Sequence, residues 1–133
     1  MPPMTTLKHP IRTERAPAPF QGAPYSQGVR FGELVFVSGQ LGIDPATNQL
    51  VEGGIAEQTA QVMENISAIL EEAGSGLKQL LKTTIYLADL GDFQAMNEVY
   101  GEQLGHEPPA RATIQATALP SGALVEIEAL GHL

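Results

Sequence analysis

The stretch RATIQATAL at 111–119, a Pro120-Ser-Gly122 turn and LVEIEAL at 124–130 together decide how this chain folds. In the first, Ala112, Ile114 and Ala116 alternate with Arg111, Thr113 and Gln115; in the second, Val125, Ile127 and Ala129 alternate with Glu126 and Glu128. A period of two is that of a strand, whose successive side chains leave on opposite faces. Both stretches are therefore expected as strands with their apolar sets turned toward a helical layer. Arg111, Thr113, Gln115, Glu126 and Glu128 should then share the far face.

Working back along the chain, Asp92 is placed to cap a helix bearing Phe93, Met96, Tyr100 and Leu104 at helical spacing, stopped by Gly105. Lys82–Leu87 alternates as a strand. Between Ile55 and Ala73 the spacing is again helical, with Val62, Met63, Ile66, Ile69 and Leu70 on one side and Glu57, Gln61, Glu64, Glu71 and Glu72 on the other, before Gly74. Tyr25–Ile43 reads as two strands around Gly32-Glu33, and 44–49 has turn chemistry. The order β-β-α-β-α-β-β implies an α+β domain, a single mixed sheet with two helices on one face and right-handed crossovers. Residues 1–24, rich in proline, read as an extended or looped arm, leaving 25–133 as one domain. Two helices cover only one face of such a sheet. The other still carries Val, Leu and Thr, so it is expected to pack on another subunit.

Composition narrows the function classes. At 133 residues, 43% hydrophobic and 17% charged, the chain has globular composition and room for one domain. Fifteen acids against seven scattered bases give a net charge of -8, the wrong field for phosphate backbones. No apolar run approaches the ~20 residues of a membrane span, and the start lacks a secretory signal, so the expected location is cytoplasmic. The chain has no cysteine, which removes disulfides and thiolate metal sites. His9, His106 and His132 lack ligand spacing, and no metal site is expected.

Few side chains remain for chemistry. Arg111 is the one arginine after residue 30, and its planar fork matches a carboxylate; the alternative is an intrachain salt bridge. Glu126 and Glu128 are either a solvated strand face or, if that face is buried between subunits, acids in need of a partner. Glu126 opposite Arg111 would be a structural pair or an acid/base couple. Gly74-Ser-Gly76 lacks the phosphate-loop lysine, and Ser38-Gly39 lacks a nucleophile elbow. Taken alone, Asn97 reads as a solvated polar residue and Tyr25 as a packing residue.

Six segments, in order, resemble the RidA/YjgF family of reactive-intermediate deaminases: Pro24-Tyr-Ser-Gln27, Val35-Phe-Val-Ser-Gly-Gln40, Lys82-Thr-Thr84, Asp92-Phe93 with Asn97-Glu-Val-Tyr100, Pro109-Ala-Arg111 and Val125-Glu-Ile-Glu-Ala129. The resemblance spans about Ala16 to Leu130. It implies a chorismate-mutase-like fold and a homotrimer with clefts between subunits. It further implies hydrolysis of 2-aminoacrylate, 2-aminocrotonate and their imines to 2-oxo acids and ammonia, with no cofactor. On the same basis Arg111 would hold the substrate carboxylate, Glu126 would position the attacking water, and Tyr25, Ser38, Gly39 and Asn97 would line the cleft. Thr113 stands where some members have cysteine and would contribute through its backbone. The segment between Pro17 and Pro24 is about two residues longer than the family pattern. A non-catalytic trimeric binder of small carboxylates is the main alternative; the ribonuclease or translation-inhibitor activity attributed to some relatives is disfavoured by the acidic charge.

Overall fold

The computed structural model describes residues 7–105 and 107–133; the first residues of the proline-rich arm and His106 lie outside the described residues. Among the described residues eight strands and two α-helices follow one another as β1 (Lys8–Ile11), β2 (Gly28–Phe31), β3 (Leu34–Leu41), β4 (Ile43–Asp44), β5 (Gln49–Leu50), α1 (Ile55–Glu72), β6 (Leu80–Leu87), α2 (Phe93–Leu104), β7 (Ala110–Gln115) and β8 (Val125–His132). Six of the strands form one sheet in the order β1-β2-β3-β8-β6-β7, while β4 and β5 make a separate small hairpin. Only β6 and β7 run parallel, joined through α2, so the sheet is mixed.

Both helices stop at the glycines that the sequence marks, and α2 starts directly after Asp92, although the Asp92 side chain makes no capping hydrogen bond. The Gly54 N–H donates to Glu57 Oε1 at 2.8 Å, satisfying one of the first-turn donors of α1 with an acid suited to the helix dipole. At the other end Gly74 takes φ +90°, and the N–H groups of Gly74 and Ser75 donate back to Glu71 and Leu70 carbonyls at 3.0 and 2.8 Å. This paired closure needs a left-handed residue, which glycine supplies at little cost. The apolar stripe of α1 (Val62, Met63, Ile66, Ile69, Leu70) is fully buried over Val35, Ile85 and Ile127. Each such side chain contributes about 1.5–3 kcal/mol on burial. Met96 and Tyr100 extend the same core from α2.

Polar side chains fix how α1 sits on the sheet. Asn65, fully buried, donates through Nδ2 to the Leu41 and Ile43 carbonyls at 3.1 and 2.9 Å, where the chain leaves β3. Gln58 Oε1 accepts from the Leu124 N–H at 2.9 Å, just ahead of β8.

Two sequence expectations need correction. The arm is not all loop: Lys8–Ile11 forms β1 and pairs with β2 at the sheet edge. Pro10 is tolerated there because an edge strand has one side without partners, so its missing N–H breaks no ladder. The second correction concerns β7. Arg111, Thr113 and Gln115 pair with Thr83, Ile85 and Leu87, all buried beneath the helices, whereas Ala112 and Ile114 pair with Thr84 and Tyr86 on the opposite face. Directly paired residues share a face, so the β7 polar set faces the helical layer and the apolar set faces away, with Ile114 48% exposed. The expectation held for β8, where Val125, Ile127 and Ala129 are buried and Glu126 and Glu128 face away. It inverted in β7 for two reasons. An edge strand lies at the margin of the helical cover, where Arg111 and Gln115 reach solvent, and the far face carries apolar side chains of its own, with Phe31, Leu34 and Phe36 all exposed upon it.

Candidate functional site

Arg111 stands on β7 beneath α2, and among the described residues the side chains that hold it come from that helix. Its Nη1 donates to Asn97 Oδ1 at 2.7 Å. The guanidinium carbon lies 5.4 Å from the Phe93 ring centroid and 5.3 Å from that of Tyr100. Phe93, Asn97 and Tyr100 are spaced i, i+4 and i+7, which places them on one helical stripe. Tyr100 is in turn fixed by a 2.6 Å hydrogen bond between its hydroxyl and that of Thr83, the residue directly across the ladder from Arg111. Burial raises the Tyr100 phenol pKa against the opposing influence of Thr83 and Arg111. The Arg111 side chain is exposed, and the one ion pair among the described residues is Arg15–Glu71. The salt-bridge alternative for Arg111 therefore finds no acid partner among the described residues.

A second group of sequence-selected residues meets elsewhere. Tyr25, Ser38, Gly39 and Glu126 line a cleft of about 430 Å³, walled also by Phe20 and Pro120. A bulge in β3 between Val37 and Gln40 brings Ser38 and Gly39 to the cleft edge. Ser38 spends its hydroxyl on the Ser26 carbonyl at 2.6 Å. Gly39 lies so close to the Glu126 carboxylate that a Cβ there would overlap Oε2. The Glu126 carboxyl pKa is raised, first by burial and then by the neighbouring Glu128 charge. Glu128 itself accepts a 2.6 Å hydrogen bond from the Tyr86 hydroxyl, which raises the Tyr86 pKa.

The longer segment before Pro24 contains a short turn, Phe20–Gly22, with Gln21 at φ 53°. The Phe20 N–H donates to the Tyr25 hydroxyl at 2.7 Å, so Tyr25 braces the turn that walls the cleft. Behind it Gln27, buried, accepts from the Thr13 N–H at 2.7 Å and shares its Nε2 donors among the Thr13, Ala16 and Pro17 carbonyls at 2.8–3.1 Å.

The selected residues thus divide. Tyr25, Ser38, Gly39 and Glu126 come together; Asn97 joins Arg111; Thr113 follows Arg111 on the helix-facing side, its Oγ1 buried without a hydrogen-bond partner. Arg111 and Glu126 do not meet within one chain, which corrects the expectation that they share a face. Sequence reasoning missed Phe93, Tyr100 and Thr83 as supports of Arg111, although the helical stripe was visible. Among the described residues no group of His, Asp or Glu side chains could hold a metal ion, and no helix is long and apolar enough to cross a membrane.

A two-helix α+β domain with a bracketed arginine on one face and an acid-bearing cleft reached from the other is the class that these features define. The profile of the family described as endoribonuclease L-PSP matches residues 13–133. The chain belongs to that family, the RidA/YjgF family whose motifs it carries. A RutC family protein of Pyrococcus abyssi is 50% identical over 125 residues, covering 94% of this chain and 97% of the relative. A 2-iminobutanoate/2-iminopropanoate deaminase of Capra hircus is 47% identical over 120 residues, 90% of this chain and 86% of the relative. Among solved structures, RidA from an Antarctic Psychrobacter superposes with TM-score 0.90 at 46% identity, covering 94% and 99% of the two chains. Escherichia coli TdcF with bound serine superposes with TM-score 0.87 at 34% identity, covering 94% and 98%.

Proposed function

We propose that this chain is a cytoplasmic, cofactor-independent deaminase that hydrolyses 2-iminobutanoate, 2-iminopropanoate and their enamine tautomers to 2-oxo acids and ammonia. It acts as a homotrimer of chorismate-mutase-like fold. Arg111 of one protomer completes the cleft formed by Tyr25, Ser38, Gly39 and Glu126 of the next. The observation that carries this reading is Arg111 itself. Its guanidinium is bracketed by two rings and one amide and has no acid partner among the described residues. A guanidinium has five donors, and one bond to Asn97 leaves an edge free for a bidentate carboxylate.

In this mechanism Arg111 binds the substrate carboxylate and turns C2 of the imine toward a water beside Glu126. The water oxygen bonds to C2 as the C=N π pair moves onto the nitrogen, which carries or takes up a proton, while Glu126 accepts the proton that the water loses. The resulting carbinolamine expels its nitrogen as ammonia once that nitrogen is protonated, leaving the 2-oxo acid. The raised Glu126 pKa makes the carboxylate a better proton acceptor than an ordinary glutamate. Support also comes from the relative named as an imine deaminase and from the relative solved with serine, a small amino acid carrying a carboxylate. The net charge of -8 speaks against RNA as substrate.

The test is Arg111→Ala and Arg111→Lys in an assay coupled to threonine dehydratase. In Arg111→Ala the loss of about 2–5 kcal/mol of charge pairing predicts a fall of at least ~30-fold, while Arg111→Lys keeps the charge, loses the fork and falls less; an alanine variant as fast as wild type overturns the reading. Glu126→Gln separates an enzyme from a carboxylate-binding protein. The enzyme loses rate while retaining 2-oxobutanoate affinity by calorimetry; a binding protein has no deaminase rate to lose.

A further inference from the structure

Arginine side chains are long and rich in rotamers, so a guanidinium at an exposed sheet margin has to be aimed before it can recognise a plane. The contacts around Arg111 form a closed circuit. Its backbone lies beside Thr83 in the β6–β7 ladder. The Thr83 side chain, 1% exposed, bonds the Tyr100 hydroxyl at 2.6 Å. The Tyr100 ring, 4% exposed, presents its face to the guanidinium at 5.3 Å. Phe93 adds a second ring at 5.4 Å and Asn97 takes one N–H at 2.7 Å. Strand and helix are tied at both ends of the circuit, so the ring cannot slide or tilt without breaking the buried hydroxyl pair. A buried hydroxyl left unpaired is costly, and that penalty keeps the ring in place.

We infer that the Thr83–Tyr100 hydroxyl pair is a positioning device: it sets the Tyr100 ring that orients the Arg111 guanidinium for a planar carboxylate. The inference rests on the deaminase reading for its ligand but not for its geometry. Tyr100 and Thr83 touch no substrate and act through Arg111. The pair sharpens discrimination between a planar, bidentate anion and a point charge, because only the former depends on the tilt of the guanidinium plane.

The experiment uses the full-length protein with 2-oxobutanoate as probe. Tyr100→Phe and Thr83→Val each remove one hydroxyl with little change in volume. Calorimetry is expected to show each weakening 2-oxobutanoate binding by about tenfold, and the double variant by no more than either alone, since both cut the same link. In an Arg111→Lys background, where an ammonium has no plane to orient, Tyr100→Phe is expected to cause no further loss. Wild-type affinity in both single variants overturns the proposal, as does an equal loss in the lysine background, which marks general loosening. The second readout needs no ligand. The Arg111 Nε proton, part of a guanidinium whose carbon lies over two rings, is expected upfield in the NMR spectrum and to move in Tyr100→Phe and Thr83→Val alike. An unmoved resonance overturns the positioning role whatever the deaminase rate. A resonance that moves in a protein without imine hydrolysis retires the deaminase reading and keeps the positioning one.

Discussion

Arg111 and Glu126 sit on opposite faces of one sheet, separated by β6: the ladder partner of Arg111 is Thr83, buried beneath the helices, and that of Glu126 is Tyr86, on the uncovered side. No side-chain rotation brings the two together through the strand between them. If both act on one substrate, they come from different protomers.

Mixing follows directly. Arg111→Ala and Glu126→Gln are each expected to be inactive alone. Unfolded together in equal amounts and refolded, they should regain roughly a quarter of wild-type sites, because random assembly of a cyclic trimer gives about that share of interfaces with both residues intact. A mixture as inactive as its components would mean that the two residues do not serve one shared intersubunit site.

The tight fit of Gly39 against the Glu126 carboxylate makes Gly39→Ala a probe of acid placement. The added methyl meets the flexible end of a side chain, which swings aside at small cost to the fold. Deaminase rate is expected to fall about 10²-fold, the usual penalty for misplacing a catalytic group by an ångström. Calorimetric unfolding should remain within ~2 °C of wild type, the scale of a ΔΔG below 1 kcal/mol. A large drop in unfolding temperature with full activity per folded molecule would sink this account.

Burial and Glu128 raise the Glu126 pKa, so the folded chain holds that proton more tightly than the unfolded chain. Between the ordinary glutamate value and the raised one, stability therefore falls as pH increases. Glu126→Gln should unfold above wild type at neutral pH and level with it near pH ~3, below both values. Thermal scans at the two pH values check the sign. In the active enzyme the acid limb of the rate profile should lie above the ordinary value of about 4.3.

Gln27 stitches residues 13–17 to the start of β2 from a buried position. Gln27→Leu leaves those backbone groups without their partner at about 1–3 kcal/mol, expected as a fall of several degrees in unfolding temperature. Limited proteolysis should then cut first between Thr13 and Pro24.

The helices were legible because their signals are local: an unbroken apolar stripe in α1 and glycine stops at Gly74 and Gly105. The six family segments marked Tyr25, Ser38, Gly39 and Glu126, and the structure gathers those four around one cleft. The face of β7 was not legible, since alternation states which residues share a side but not which side the helices cover. Apolar content decided correctly for β8 at the sheet centre and wrongly for β7 at its edge. β1 was hidden by Pro10, which excludes a residue from central strands only. The supports of Arg111 lay within the helical stripe Phe93, Asn97, Tyr100. What made them supports rather than core was the strand passing beneath, a relation set by tertiary packing.

The exposed surface of Phe31, Leu34, Phe36 and Ile114 sets a condition on the chain's biogenesis. If the chain assembles as proposed, a newly made protomer emerges with that surface wet, and every other sticky surface nearby competes for it. Slow synthesis at low abundance would leave such protomers unmated for longer, so yield in the cell should depend on how quickly siblings meet.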